Sequence, residues 1–276
     1  MSSAHITFDT TGDKIAHRVR IMRPSAVRNL FAAATRDDVI SLSGGMPAVS
    51  LLPEEDVRRA VLAAVESPQA RAVSLQYGPT DGLAGLRAVL ADMMRDLGIR
   101  VKADQILVTS GAQQALTLIA EAFTDPGDII ITEGPTYLGA LQAFSAFEPD
   151  IRAIPFDEDG MRMDLLEAEL ERIGKGNPRL KFCYTIPNFQ NPGGVTMNAE
   201  RRRRLLELAD EYSFMVVEDD PYGRLRYDGG HQVPLKAMDD SVIYLGTISK
   251  MLGPGLRTGW ICLLYTSPSP RDRSVS

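Results

Sequence analysis

Five loops carry residue types that could do chemistry, and each follows a short β-branched run. The most reactive candidate is Lys250, in Gly246-Thr247-Ile248-Ser249-Lys250. A lysine amine becomes a nucleophile, able to form a Schiff base, when burial lowers its pKa from about 10.4. A plain solvated lysine is the alternative. Thr247, Ser249 and Arg257 could join in holding a phosphate through two hydroxyls and a guanidinium. Glu218-Asp219-Asp220 forms a second cluster. Three consecutive acids after a buried strand repel one another and lose hydration, so a cation or a protonated ligand nitrogen is expected beside them. Ser110-Gly111-Ala112-Gln113-Gln114 runs straight into a helix, where free N–H groups and the positive dipole end make an anion site. The same residues also suit an ordinary tight turn with Ser110 as N-cap. Glu133-Gly134-Pro135-Thr136-Tyr137 places an aromatic ring where it can stack on a planar ligand or pack into the core. Pro187-Asn188-Phe189-Gln190-Asn191-Pro192-Gly193-Gly194 is an irregular loop presenting the Asn191 amide, or turn chemistry alone.

The elements that must position these loops are legible from periodicity. Apolar, β-branched runs predict strands at Gln105–Thr109, Asp128–Thr132, Ile151–Pro155, Leu180–Tyr184, Phe214–Val217 and Ser241–Leu245. Between most of them lie amphipathic stretches. Leu83–Leu97 puts Leu83, Leu86, Leu90, Met93, Met94 and Leu97 on one face at helical spacing. Ala112–Phe123, Pro135–Phe147, Met163–Ile173 and Ala199–Tyr212 read as further helices, and Pro53 followed by Glu54, Glu55 and Asp56 opens another. This alternation predicts an α/β fold, a mainly parallel sheet sandwiched by helices. Ligands of such sheets sit at the carboxyl ends of the strands, where the five loops lie.

Composition narrows the function classes. The 276 residues carry 30 Lys and Arg against 36 Asp and Glu, a net charge of −6, with 44% hydrophobic residues. That is globular composition, long enough for one large domain or two small ones. The acidic balance disfavours nucleic acid as a partner. Cys183 and Cys262 cannot build a disulfide framework and read as buried free thiols in a reducing compartment. No apolar run approaches the roughly 18 residues of a membrane helix, and the first residues carry no apolar signal core, so a soluble cytoplasmic protein is expected. His5, His17 and His231 stand apart from one another and from both cysteines, so no metal site is expected. G-x-S-x-G and G-x-x-x-x-G-K-[ST] loops are absent, and Thr258 stands where a dinucleotide fingerprint needs its third glycine. Arg201–Arg204 reads as a solvated helix face.

A phosphate cradle, an aromatic stacker, an amide, a buried carboxylate and an amine are together the parts needed to hold pyridoxal 5′-phosphate. SLSGGMPAVSLLP, LQYGPTDGLAGLR, VTSGAQQAL, EGPTYLGAL, PNFQNPGG, VVEDDPYG and GTISKMLGPGLRTGW follow one another from about residue 39 to residue 261. In these stretches the chain resembles the class I/II, fold-type-I pyridoxal-phosphate aminotransferases, most closely the branch of 2-aminoadipate aminotransferases and the aminotransferase-like domains of MocR regulators. The resemblance implies that Lys250 forms the internal aldimine and shuttles the proton between Cα and C4′. It implies that Asp219 pairs with the pyridinium nitrogen, that Tyr222 and Asn191 hydrogen-bond the phenolic oxygen, and that Tyr137 stacks on the ring. Gly111, Ala112 and Gln113 would offer backbone contacts to the phosphate, with side chains from Thr247, Ser249 and Arg257. Tyr77 would reach the phosphate of the other subunit of a homodimer. Gly45, Arg23 and Asn191 would meet the substrates, an amino acid and a 2-oxo acid such as 2-oxoglutarate.

The implied domains are an N-terminal arm with part of a small domain (1–50), a cofactor-binding large domain (51–262) and a foreign-looking tail (263–276). Family members continue well past the Gly259-Trp260 pair, into a segment holding the Arg that binds the substrate carboxylate. LLYTSPSPRDRSVS stands there instead, so the small domain is expected to be incomplete, a sheet edge uncovered, and transamination poor. A β-lyase reaction on the same cofactor and an effector-sensing domain of a transcription regulator are the alternative functions.

Overall fold

Runs of Ile, Val, Leu and Thr can satisfy their backbone groups only by pairing with one another, and here they build one eight-stranded sheet. The computed structural model describes residues 14–20, 38–40 and 45–263. In chain order the strands are β1 (Ile106–Thr109), β2 (Ile129–Gly134), β3 (Asp150–Asp157), β4 (Gly160–Met161), β5 (Leu180–Thr185), β6 (Met215–Asp219), β7 (Ile243–Thr247) and β8 (Gly259–Cys262). They lie in the order β1-β8-β7-β6-β5-β2-β3-β4. From β7 to β3 all neighbours are parallel, whereas β8 runs antiparallel to both of its neighbours and β4 pairs antiparallel with β3. β7 is buried at every position, and β2, β5 and β6 at all but one, as a sheet covered on both faces requires.

The covering helices are α1 (Glu54–Val65), α2 (Pro68–Ser74), α3 (Ala84–Asp96), α4 (Ala112–Phe123), α5 (Leu138–Ser145), α6 (Met163–Ile173), α7 (Ala199–Tyr212) and α8 (Leu235–Met238). Strand periodicity divides the core between the two faces. Ile129 and Ile131 pack with Leu166 and Leu170 of α6 and Leu205 and Leu208 of α7. Ile130, between them in sequence, packs on the other face with Leu116 of α4 and Phe144 of α5. Cys183 and Cys262 are free and buried, as expected. Among the described residues, no helix is long and apolar enough to cross a membrane.

Two expectations are corrected. Gly259–Cys262 is not an uncovered edge: β8 lies inside the sheet, in register with Ile106–Thr109 on one side and Tyr244–Thr247 on the other. The link from β7 is too short for a crossover helix, so β8 returns antiparallel beside it. Nor do the four arginines form a solvated face. Consecutive residues of a helix point about 100° apart, so one of the four must face the sheet. Arg202 does, only 1% exposed, in the buried stripe with Leu205, Leu208 and Tyr212. Arg201 chelates Asp157 through two bonds of 2.5 and 2.9 Å, and Arg204 pairs with Glu167 and Glu207.

Candidate active site

β1, β2, β5, β6 and β7 all point their carboxyl ends to one side, so the five loops gather there. Asp219, the last residue of β6, is buried; its Oδ2 accepts a 2.8 Å hydrogen bond from the Tyr184 hydroxyl. Its Oδ1 is buried without any partner. The neighbouring acids are provided for. Glu218 accepts from the backbone N–H groups of Leu235 and Lys236 at 3.0 and 2.9 Å and faces the Arg202 guanidinium at 3.8 Å. Asp220 accepts from Asn188 (3.0 Å), Gly223 (2.9 Å) and Tyr244 (3.1 Å). The strand's alternation sends Glu218 and Asp219 to opposite faces, and the expected cation therefore reaches Glu218 but not Asp219. Burial pushes the Asp219 carboxyl up to about 7; the Tyr184 hydrogen bond opposes this and the Asp220 charge adds to it.

Around Asp219 stand two phenols. Tyr137 and Tyr222 are each raised in pKa, first by burial and then by the Asp219 charge. The Asn191 amide donates to the Tyr222 hydroxyl at 3.3 Å, and the Tyr222 ring centroid lies 6.0 Å from Lys250 Nζ. Tyr137 can turn back over the start of α5 because residue 139 is glycine; a Cβ there would lie 2.5 Å from its ring. Lys250 is half-buried, donates to the Gly45 carbonyl at 2.9 Å and has its pKa lowered by desolvation. An amine nearer its neutral form is a better nucleophile.

A second group surrounds the start of α4. Gly111 caps this helix at φ +80°, and a side chain there would meet the Arg257 guanidinium at 2.7 Å. Arg257 donates from Nη2 to the Ser110 carbonyl at 3.0 Å, while the hydroxyls of Thr247 and Ser249 lie 2.9 Å apart. The N–H groups of Ala112 and Gln113 belong to the first helical turn, which has no intrahelical acceptor for them. The Gln113 amide donates to the Gly139 carbonyl at 2.8 Å and its oxygen lies 3.5 Å from the Tyr137 hydroxyl, joining the two groups.

Tyr77 is not brought in: it is 100% exposed beyond the end of α2. Arg23 lies outside the described residues. Sequence reasoning missed Tyr184, Asn188, Tyr244 and Arg202. A tyrosine inside a buried strand, whose hydroxyl must find a partner, was the one available signal. The arrangement suits a flat ring with a protonated nitrogen at Asp219, an electrophilic carbon near Lys250 and an anionic group at the start of α4.

A family model described as aminotransferase class I and II matches residues 37–266. The chain is 51% identical over 243 residues to aromatic-amino-acid aminotransferase 1 of Thermococcus litoralis, covering 87% of this chain and 58% of that one. The kynurenine aminotransferase of Pyrococcus horikoshii, solved in complex with PMP, superimposes with a TM-score of 0.84 at 46% identity over 92% of this chain and 63% of that one. The alpha-aminoadipate aminotransferase of Thermus thermophilus, complexed with N-(5′-phosphopyridoxyl)-L-leucine, gives a TM-score of 0.81 at 35% identity over 91% and 62%. This chain therefore spans about three fifths of the length of these relatives.

Proposed function

Because the chain belongs to the class I and II aminotransferases, we propose that it binds pyridoxal 5′-phosphate at the carboxyl ends of its parallel strands and serves amino transfer between an amino acid and a 2-oxo acid such as 2-oxoglutarate. The observation that carries this reading is Asp219 Oδ1, a buried carboxylate oxygen with nothing to bond. Leaving such a group unpaired is costly, and a protonated pyridine nitrogen is the partner it lacks. When bound, the cofactor supplies an electron-withdrawing ring that stabilises the charge left as an amino acid loses its Cα proton.

The chain's own residues do the rest in this reading. Asp219 keeps the ring nitrogen protonated, with Tyr184 holding its other oxygen. Tyr137 covers the ring; Asn191 and Tyr222 donate to its phenolic oxygen, and Asn191 also borders the substrate beside Gly45. Arg257, Thr247, Ser249 and the backbone of Gly111, Ala112 and Gln113 bind the phosphate. Lys250, its pKa lowered by desolvation, would hold the cofactor through its aldehyde carbon, with loss of water, and once free would move the proton. Residues 51–262 are the cofactor-binding unit, flanked by an arm (1–50) and a tail (263–276). Tyr77, wholly exposed on the single chain, reaches the phosphate held by a second copy in a homodimer. The two buried free thiols suit a cytoplasmic setting.

Mixing the protein with pyridoxal phosphate should produce a visible absorbance band that Lys250→Ala abolishes. An unchanged spectrum in the variant would overturn the assignment of Lys250. Amino donors are then screened with 2-oxoglutarate; a band that no amino acid alters would leave cofactor binding standing and remove the transfer activity.

A further inference from the structure

Glu133 takes no part in the roles above, yet it is a buried carboxylate held by three donors beside the site. It lies near the end of β2, 3% exposed, and accepts from Thr185 Oγ1 at 2.6 Å, Ile186 N at 3.2 Å and Gln190 Nε2 at 3.1 Å. All three donors belong to the end of β5 and the loop that follows. Gln190 is 2% exposed and both of its amide hydrogens are used. The second Nε2 hydrogen goes to the Pro135 carbonyl at 2.9 Å, and Oε1 accepts from Gly193 N at 2.7 Å. One side chain thus ties together Glu133, the loop that carries Tyr137, and the turn that begins with Asn191.

The opposite side of the same loop is gripped independently. Arg202 donates to the Pro187 and Met197 carbonyls and to Asn188 Oδ1, all at 2.8–2.9 Å. It holds the stem of the loop, whereas Gln190 holds the tip next to Asn191. No other residue type fills the Gln190 position. Glutamate would lose both donors and set a second carboxylate against Glu133, leucine would strip the Pro135 carbonyl and the Gly193 N–H of their partner and take one of three donors from Glu133, and asparagine is one methylene too short.

We propose that Gln190, anchored by Glu133, is a positioning residue that sets the Tyr137 loop against the Asn191 loop and so aims the Asn191 amide and the Tyr222 hydroxyl at the cofactor's phenolic oxygen. The inference rests on the reading that this site holds pyridoxal phosphate. Donors to that oxygen favour its ionised form; misplacing them raises the pH at which bound cofactor loses its proton.

The test is a pH titration of the visible spectrum of the full chain loaded with pyridoxal phosphate, with urea unfolding in parallel. Gln190→Leu should raise the midpoint by about one unit, a tenfold weakening of the ionised form, in the same direction as Asn191→Ala. Glu133→Ala, which removes the acceptor of the Gln190 Nε2 hydrogen, should move it the same way by less. A folded variant of either kind that titrates at the wild-type midpoint overturns the proposal, whatever stability it has lost. Should Gln190→Leu fail to fold, Glu133→Ala decides alone. Wild-type protein that develops no visible band refutes the cofactor reading instead, so the two failures are distinguishable.

Discussion

Asp219→Asn should stabilise the cofactor-free protein while weakening its hold on pyridoxal phosphate. Burial raises the Asp219 pKa from 3.8 to about 7. A shift of that size amounts to about 4 kcal/mol of folding free energy. Below pH 3.8 the carboxyl is protonated in both folded and unfolded chains, so nothing is lost. Between pH 3.8 and about 7 only the unfolded chain ionises, and stability falls as the pH rises. Above that range the whole penalty applies. Asparagine keeps the shape and the acceptor for Tyr184 but never ionises. At pH 8 the variant should therefore unfold at higher urea, gaining up to about 4 kcal/mol, and the gain should shrink toward zero near pH 4. Adding pyridoxal phosphate at pH 8 should reverse the order. Bound cofactor stabilises whichever protein binds it more tightly, and only the wild type offers the carboxylate. A variant no more stable than wild type at pH 8, or equally favoured at pH 4 and pH 8, would refute the burial argument.

Three further substitutions probe the supports of the site. Gly139→Ala places a Cβ 2.5 Å from the Tyr137 ring; the displaced ring should weaken cofactor binding roughly tenfold, with circular dichroism unchanged. Arg202→Met leaves Glu218 buried without its guanidinium and should lower stability by about 3–5 kcal/mol in urea melts. That loss should be larger at pH 8 than at pH 5, because burial already holds Glu218 near pH 7 and the ionised form suffers most. Tyr184→Phe removes the donor to Asp219 Oδ2 and should cost about 1–3 kcal/mol at pH 8, measured by the same melts.

Much of the site was legible because a parallel sheet makes geometry out of order. Once apolar runs alternate with amphipathic helices, the carboxyl ends of the strands must fall on one side, and the loops with Gly111, Tyr137, Asn191, Asp219 and Lys250 meet there without further information. Helices such as Ala112–Phe123 and Met163–Ile173 match their sequence limits because 3.6-residue periodicity is a local property. Local pattern alone did not tell which acid is left unpaired; only the resemblance pointed to Asp219. Glu218, Asp219 and Asp220 are chemically alike, and partners distant in sequence (Arg202, Asn188, Tyr184 and Tyr244) determine which oxygen is left over. Local pattern likewise assigned Arg202 to solvent and predicted no strand at Gly259–Cys262, although one faces the sheet and the other lies within it. Residue types and their spacing determined by themselves the class of fold and the list of reactive groups, since both follow from short-range periodicity. Only tertiary structure decided which charges are compensated and which are held in reserve, because burial and pairing are made by residues that meet in space after folding.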